Sequence, residues 1–233
     1  MGREFDKNMF IMLFSIMIGV IIITYFAADL VNKSTIETLT EKHKTKISNI
    51  IGENENFTSM FLKSNVILDK AREQRASGNY NFDLAFLWYT SALNERNGTT
   101  MELYKSRGVE NTTLALPNYI NSHFNFKEAQ SYFLQTKNYT DHEKYDAVLD
   151  IYVGLTGSGA ELTMHLYNAS IFLSYLTENM TFDPVTNNVT FLENATEILM
   201  MFQGAMAAAG AASAEYEDYQ DELDEYEFFD EIR

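Results

Sequence analysis

MFIMLFSIMIGVIIITYFAA, Met9 to Ala28, runs twenty residues without a charge, interrupted only by Ser15, Thr24 and Tyr25. At about 1.5 Å per residue, a helix of that length covers the roughly 30 Å hydrocarbon layer of a bilayer. The stretch therefore predicts a transmembrane helix, with the lipid bilayer as its partner. A secretory signal peptide has a shorter apolar core and a small-residue cleavage site, so the expectation is an anchor that stays on the chain.

Lysine and arginine counts do not orient this span cleanly. Arg3 and Lys7 precede it, while Lys33, Lys42, Lys44 and Lys46 follow it, a bias that by itself puts the larger part of the chain inside. A second pattern outweighs the first. Asn-x-Ser/Thr, the acceptor motif for N-linked glycans, occurs at Asn32, Asn56, Asn97, Asn111, Asn138, Asn168, Asn179, Asn188 and Asn194, and every instance follows the span. With 20 Asn and 34 Ser plus Thr in 233 residues, chance gives about three such motifs. Nine is a threefold excess, and it points to a glycoprotein with residues 1–8 as a cytoplasmic tail and the rest on the extracellular face of the cell membrane. Exported eukaryotic domains of this size usually carry disulfides; this chain has no Cys, which favours an archaeal cell surface, with a bacterial or viral surface behind it.

Composition narrows the rest. The chain is 46% apolar and 14% aromatic, enough to fold, and carries a formal charge of −16, which excludes nucleic acid as a partner because affinity for phosphate backbones comes from cationic side chains. Two Pro and 11 Gly leave few breaks, so an all-α fold is expected: the N-terminal membrane helix continuing into an extracytoplasmic helical bundle.

Past the span, Ile36, Leu39, Ile47, Ile50, Phe57, Phe61 and Leu68 recur near a 3-4 alternation, with His43 and Asn54 in the weaker seam positions. This predicts a helical stalk over 29–75, packed on a partner helix or on its own domain. A helical domain over 76–214 comes next. Ala76 to Tyr80 reads as a loop, and Leu84, Trp88, Tyr89 and Leu93 as one face of the next helix. Gly78-Asn79-Tyr80 with Tyr89 and Ala92-Leu93 is similar to part of a tetratricopeptide hairpin, but it is two residues out of register and no repeat follows, so no family is assigned. Asn97 to Pro117 reads as a second loop. Helices are predicted over 126–136, 141–155 and 160–178, capped by Asn138 to Asp141 and by Ser158, with Thr156 to Gly159 as the break between the last two. TFDPVTNNVTF, ahead of residue 192, reads either as one short β-hairpin or as an extended helix-to-helix loop. Ile198 to Ala214 is uncharged over 17 residues, yet short, Ala-rich and next to a sequon, so it is placed outside the membrane as a packed helix. Residues 215–233 hold ten Asp/Glu, but Tyr216, Tyr219, Leu223 and Tyr226 recur at three and four, which predicts an acidic amphipathic terminal helix with a docking face.

No catalytic constellation emerges. His43, His123, His142 and His165 lack any spacing that puts two ligands on one helix face, so neither a metal site nor a cofactor is expected. There is no phosphate loop, nucleophile elbow or EF-hand. Three classes fit what remains. The leading one is a non-catalytic, membrane-anchored, N-glycosylated structural or accessory subunit, whose partners are other membrane or surface protein subunits, including copies of itself. The runner-up is a sensory or ligand-binding ectodomain, because an N-terminal span running into a helical bundle resembles chemoreceptor-like sensors. A pilin-like filament or virion surface protein comes third.

Overall fold

The computed structural model describes residues 36–140, 143–192 and 194–225. The predicted membrane span, the tail before it, Asn32, His142 and Tyr226 lie outside these residues, as do the side chains of Ile36, Leu39, His43, Ile47, Ile50 and Asn54. By internal contacts the chain separates into residues 1–55 with 225–233, and a compact unit of residues 56–224.

Among the described residues the compact unit consists of four α-helices, one short 3-10 turn (Lys137–Tyr139) and one hairpin: α1 (Ile36–Leu93, which enters the unit at Asn56), α2 (Gly98–Thr136), α3 (Glu143–Glu178), strands β1 (Met180–Asp183) and β2 (Asn188–Phe191), and α4 (Ala195–Glu225). The mostly helical expectation holds. Among the described residues no helix is long and apolar enough to cross a membrane, and this includes the uncharged 198–214 segment.

Short connections force antiparallel neighbours. Asn97 caps α2 by accepting from the Thr100 backbone N–H at 3.1 Å, and Glu95 accepts from the backbone N–H groups of Arg96 and Asn97, so the chain reverses between Leu93 and Gly98. Ser122 Oγ then donates to the Ala71 carbonyl at 2.7 Å, and Lys63 Nζ donates to the Tyr132 hydroxyl further down, as reversed helices require. Gln130 donates to the Val153 carbonyl and His123 Nδ1 lies 2.9 Å from the Ala160 carbonyl, which set α3 antiparallel to α2. Ala209 and Ala212 of α4 pack on Leu162 and Leu166 of α3, while Phe202 stacks near Phe82 and Arg72 Nε donates to the Tyr216 hydroxyl. Helix α4 therefore closes the bundle between α3 and α1, antiparallel to both.

Among the described residues, aromatic-rich packing lies at both ends of the bundle. Near the hairpin, Phe82, Ala85, Tyr89, Met101, Tyr119, Leu173, Leu176 and Met180 are buried together. At the far end Phe133 stacks on Tyr152 at 4.6 Å and Phe61 meets both rings edge-on; burial pushes the Tyr152 hydroxyl pKa up. Each fully buried aromatic contributes about 1.5–3 kcal/mol.

Several predicted breaks are not breaks. Ala76 to Tyr80 is helix, as is all of Gly98 to Pro117, and α3 passes unbroken through Thr156 to Gly159. The glycines that suggested turns mark close helix contacts instead. A Cβ at Gly78 would lie 2.7 Å from the Tyr119 ring, one at Gly159 2.7 Å from the Phe126 ring, and one at Gly108 3.0 Å from Thr177 Cγ2. The polar residues of these stretches bond to their own helix: Ser77, Asn111, Thr156 and Ser158 each donate to the carbonyl four residues back. Ser158 is thus a mid-helix residue, not a cap. The helical face assigned to Leu84, Trp88, Tyr89 and Leu93 is also displaced. The buried stripe is Phe82, Ala85, Tyr89 and Ala92, and Leu93 is exposed.

Of the two readings of the segment after Asn179, the hairpin is the one that forms, with Met180 paired to Phe191 and Asp183 to Asn188. Asn187 takes a left-handed φ of 51° at the turn. The Asp183 carboxylate accepts from Val185 N–H and the Thr186 hydroxyl, bonds that hold its pKa below the ordinary value. Helix α4 runs without interruption through residue 214, so the small-residue segment and residues 215–225 of the acidic segment are one element.

Candidate ligand cleft and partner-facing surface

Helix α1 places Arg75, Asn79 and Asp83 at i, i+4 and i+8, one stripe on the side turned toward α4. Across from it, α4 presents Met206, Gly210, Ser213 and Glu217, and between the two helices opens a cleft of about 450 Å³. Its floor is apolar: Phe82, Tyr119 from α2, and Leu162 and Leu166 from α3. The volume lies in the range of small-molecule sites, about 300–1,000 Å³.

The polar groups of the cleft are arranged unevenly. Tyr119 is fully buried and donates its hydroxyl to Asn79 Oδ1 at 2.9 Å. Burial raises the pKa of that hydroxyl well above its ordinary value, nearby Asp83 adds to the rise, and nearby Arg75 opposes it. The Arg75 guanidinium lies 4.2 Å from the centre of the Tyr216 ring and 5.6 Å from that of Phe126. Its Nη1 is buried without an acceptor, an unusual state for a group with five N–H donors. Glu217 accepts from Ser213 Oγ at 3.3 Å.

The terminal docking face is turned onto the chain's own bundle as far as it is described. Tyr216 is buried against Arg72, Arg75 and Phe126, Tyr219 covers Gly154 so closely that a Cβ there would strike its ring, and Leu223 is half-buried. Among the sequons, Asn56, Asn97, Asn138, Asn188 and Asn194 are exposed, and Asn111, Asn168 and Asn179 are half-buried. Their distribution is one-sided. Asn56 lies where α1 enters the unit, Asn111 and Asn168 lie on α2 and α3, Asn188 begins β2, and Asn97, Asn138, Asn179 and Asn194 lie between the longer elements. From Phe57 to Leu93 on α1, and along all of α4, there is none.

That sequon-free side exposes apolar groups. Phe86 stacks on Phe202 at 6.3 Å while remaining 43% exposed, and Leu199 and Met206, one turn to either side of Phe202, are also exposed. Leu87 and Met200 are more exposed still. Helix α2 also exposes Leu103, Leu114, Phe124 and Leu134, spaced about ten residues apart, with Asn111 among them. His123 bonds to the Ala160 carbonyl, His165 is half-buried, and no metal-holding group of His, Asp and Glu occurs among the described residues.

Sequence reading passed over Arg75, Asn79, Asp83 and Tyr119. The i, i+4, i+8 spacing was there to be read, but the loop assigned to Ala76–Tyr80 cut across it. Comparison with known proteins finds no match to any protein-family model, curated protein or solved structure.

Proposed function

We propose that the chain is a non-catalytic, membrane-anchored, N-glycosylated structural or accessory subunit of a cell-surface or membrane assembly, with an archaeal surface fitting its sequon-rich, cysteine-free composition. The observation that carries this reading is the coincidence of the sequon-free α1–α4 side with exposed Phe86, Leu87, Leu199, Met200 and Met206. Glycans on the opposite side and at the ends leave that one face open to a partner subunit, where apolar contact contributes roughly 25 cal/mol per Å² covered.

Leu87 and Leu114 supply the test, because they are 53% and 51% exposed and lie on the sequon-free and sequon-bearing sides. Leu87→Glu, alone or with Met200→Glu, should reduce the size of the native complex extracted in mild detergent. Leu114→Glu should not. Equal complexes for both variants would remove the α1–α4 side as the assembly face. Intact mass before and after deglycosylation tests the glycoprotein part: a native chain of bare polypeptide mass would leave the orientation without its main support.

A further inference from the structure

We propose that the cleft between α1 and α4 binds a short apolar peptide as a zwitterion, its carboxylate on Arg75 and its ammonium on Asp83. The inference holds for either a subunit or a sensor and does not depend on anchoring or glycosylation.

Three observations converge. First, Arg75 has no hydrogen bond or ion pair among the described residues; its contacts are the ring faces of Tyr216 and Phe126, and its Nη1 is buried without an acceptor. The residue is only half-buried and lines the cleft, so the remaining edge of its planar fork is within reach of a ligand carboxylate, which such a fork matches in geometry and charge. Second, Asp83 stands two turns along the same stripe, exposed and likewise without a bonded partner among the described residues, whereas Glu217 already accepts from Ser213. Third, the floor of the cleft beside the stripe is apolar, formed by Phe82, Leu162, Leu166 and Met206, and Asn79, the polar residue between the two charges, already accepts from the Tyr119 hydroxyl.

Spacing sets the length of the ligand. Eight residues of helix separate the two α-carbons by about 12 Å. Side chains on a helix lean toward its N-terminus, and Arg75 reaches the ring of Tyr216, whose hydroxyl bonds Arg72, so the two charged heads lie no closer than their α-carbons. An extended dipeptide, at about 3.5 Å per residue, bridges that span with one ion-pair contact of up to about 4 Å at each end. Charge sets its class. A polyanion meets Asp83 and Glu217, a simple amine leaves Arg75 unpaired, and a molecule with one charge of each sign at opposite ends satisfies both.

The test uses the full chain in detergent and three related probes: leucyl-leucine, its N-acetyl derivative and its C-terminal amide. Titration calorimetry should show leucyl-leucine binding, and each capped form binding at least tenfold more weakly. Asp83→Asn should weaken leucyl-leucine to the level of the N-acetyl form and leave that form unaffected. Arg75→Gln should abolish the preference for a free carboxylate. Because Arg75 also stacks on Tyr216, the Asp83 variant keeps the proposal testable if the Arg75 variant does not fold. Absence of binding by leucyl-leucine at millimolar concentration, equal binding of free and capped forms, or an unchanged Asp83→Asn would each overturn it.

Discussion

In α3, Gly154, Gly157 and Gly159 each sit where an added Cβ would run into a neighbouring side chain, whereas in α4 Gly204 and Gly210 have nothing within 4 Å. The two helices share a composition rich in small residues and use it differently. Along α3 the missing side chains admit Tyr219, Gln130 and Phe126 against the backbone, and buried Thr156, Ser158, Thr163 and Thr177 return their hydroxyls to carbonyls of the same helix. Close packing there offsets the helix propensity lost at glycine, about 1 kcal/mol relative to Ala. Along α4 the inner face is filled by Ala209, Ala212 and Tyr216, while Gly204 and Gly210 face open space, Gly210 in the cleft. A glycine in a helix therefore reports a close neighbour in one case and, in the other, a surface to which no described residue comes near.

That contrast can be broken first at Tyr216, the residue on which α4 is seated. Tyr216→Ala removes a buried ring and the bond from Arg72, and the loss should be about 3–5 kcal/mol in urea unfolding. A loss below about 1 kcal/mol would mean that α4 is held by something else. Next is Gly159→Ala in α3, expected to destabilise by about 1–3 kcal/mol despite the better helix former, because the buried Phe126 ring has little room to yield.

A smaller effect is expected at Tyr119, beneath the cleft. Tyr119→Phe should lose about 0.5–1.5 kcal/mol with the bond to Asn79. Its pKa is raised in the fold, so the folded state holds the proton more tightly than the unfolded chain. The associated stability is complete below about pH 10 and is lost as the pH climbs from there toward the folded value. Denaturation midpoints measured from about pH 9 to 11 should fall less steeply for the Phe variant than for the native chain, and parallel curves would argue against that linkage. The smallest change is Gly204→Ala. Having open space, it should stabilise the isolated chain by about 0.5–1 kcal/mol, the reverse of the sign expected at Gly159. If the same variant weakens the native complex, the open glycine is where a partner approaches; if it leaves the complex unchanged, it is not.

Helical content and the helical course of the acidic segment through residue 225 were legible in the sequence, and the hairpin between residues 180 and 191 was one of its two readings, because each rests on a local pattern: 3-4 recurrence of Tyr216, Tyr219 and Leu223, or alternation around Asp183-Pro184 and Asn187-Asn188. The sequence by itself also determined the sequon set and the net charge. Helix ends at Ala76–Tyr80, Gly98–Pro117 and Thr156–Gly159 were misread for one physical reason. Gly, Ser, Thr and Asn end a helix when water competes for its backbone, but inside a bundle the same residues bond to their own carbonyls and let a neighbouring ring close in. Only the tertiary structure decided between these outcomes, since the rings concerned, Tyr119, Phe126 and Tyr219, come from other helices. It alone brought the Arg75, Asn79 and Asp83 stripe opposite Glu217 and Tyr216, and it alone showed that the sequons leave one side of the bundle bare, because which helices become neighbours is set by packing among segments more than a hundred residues apart.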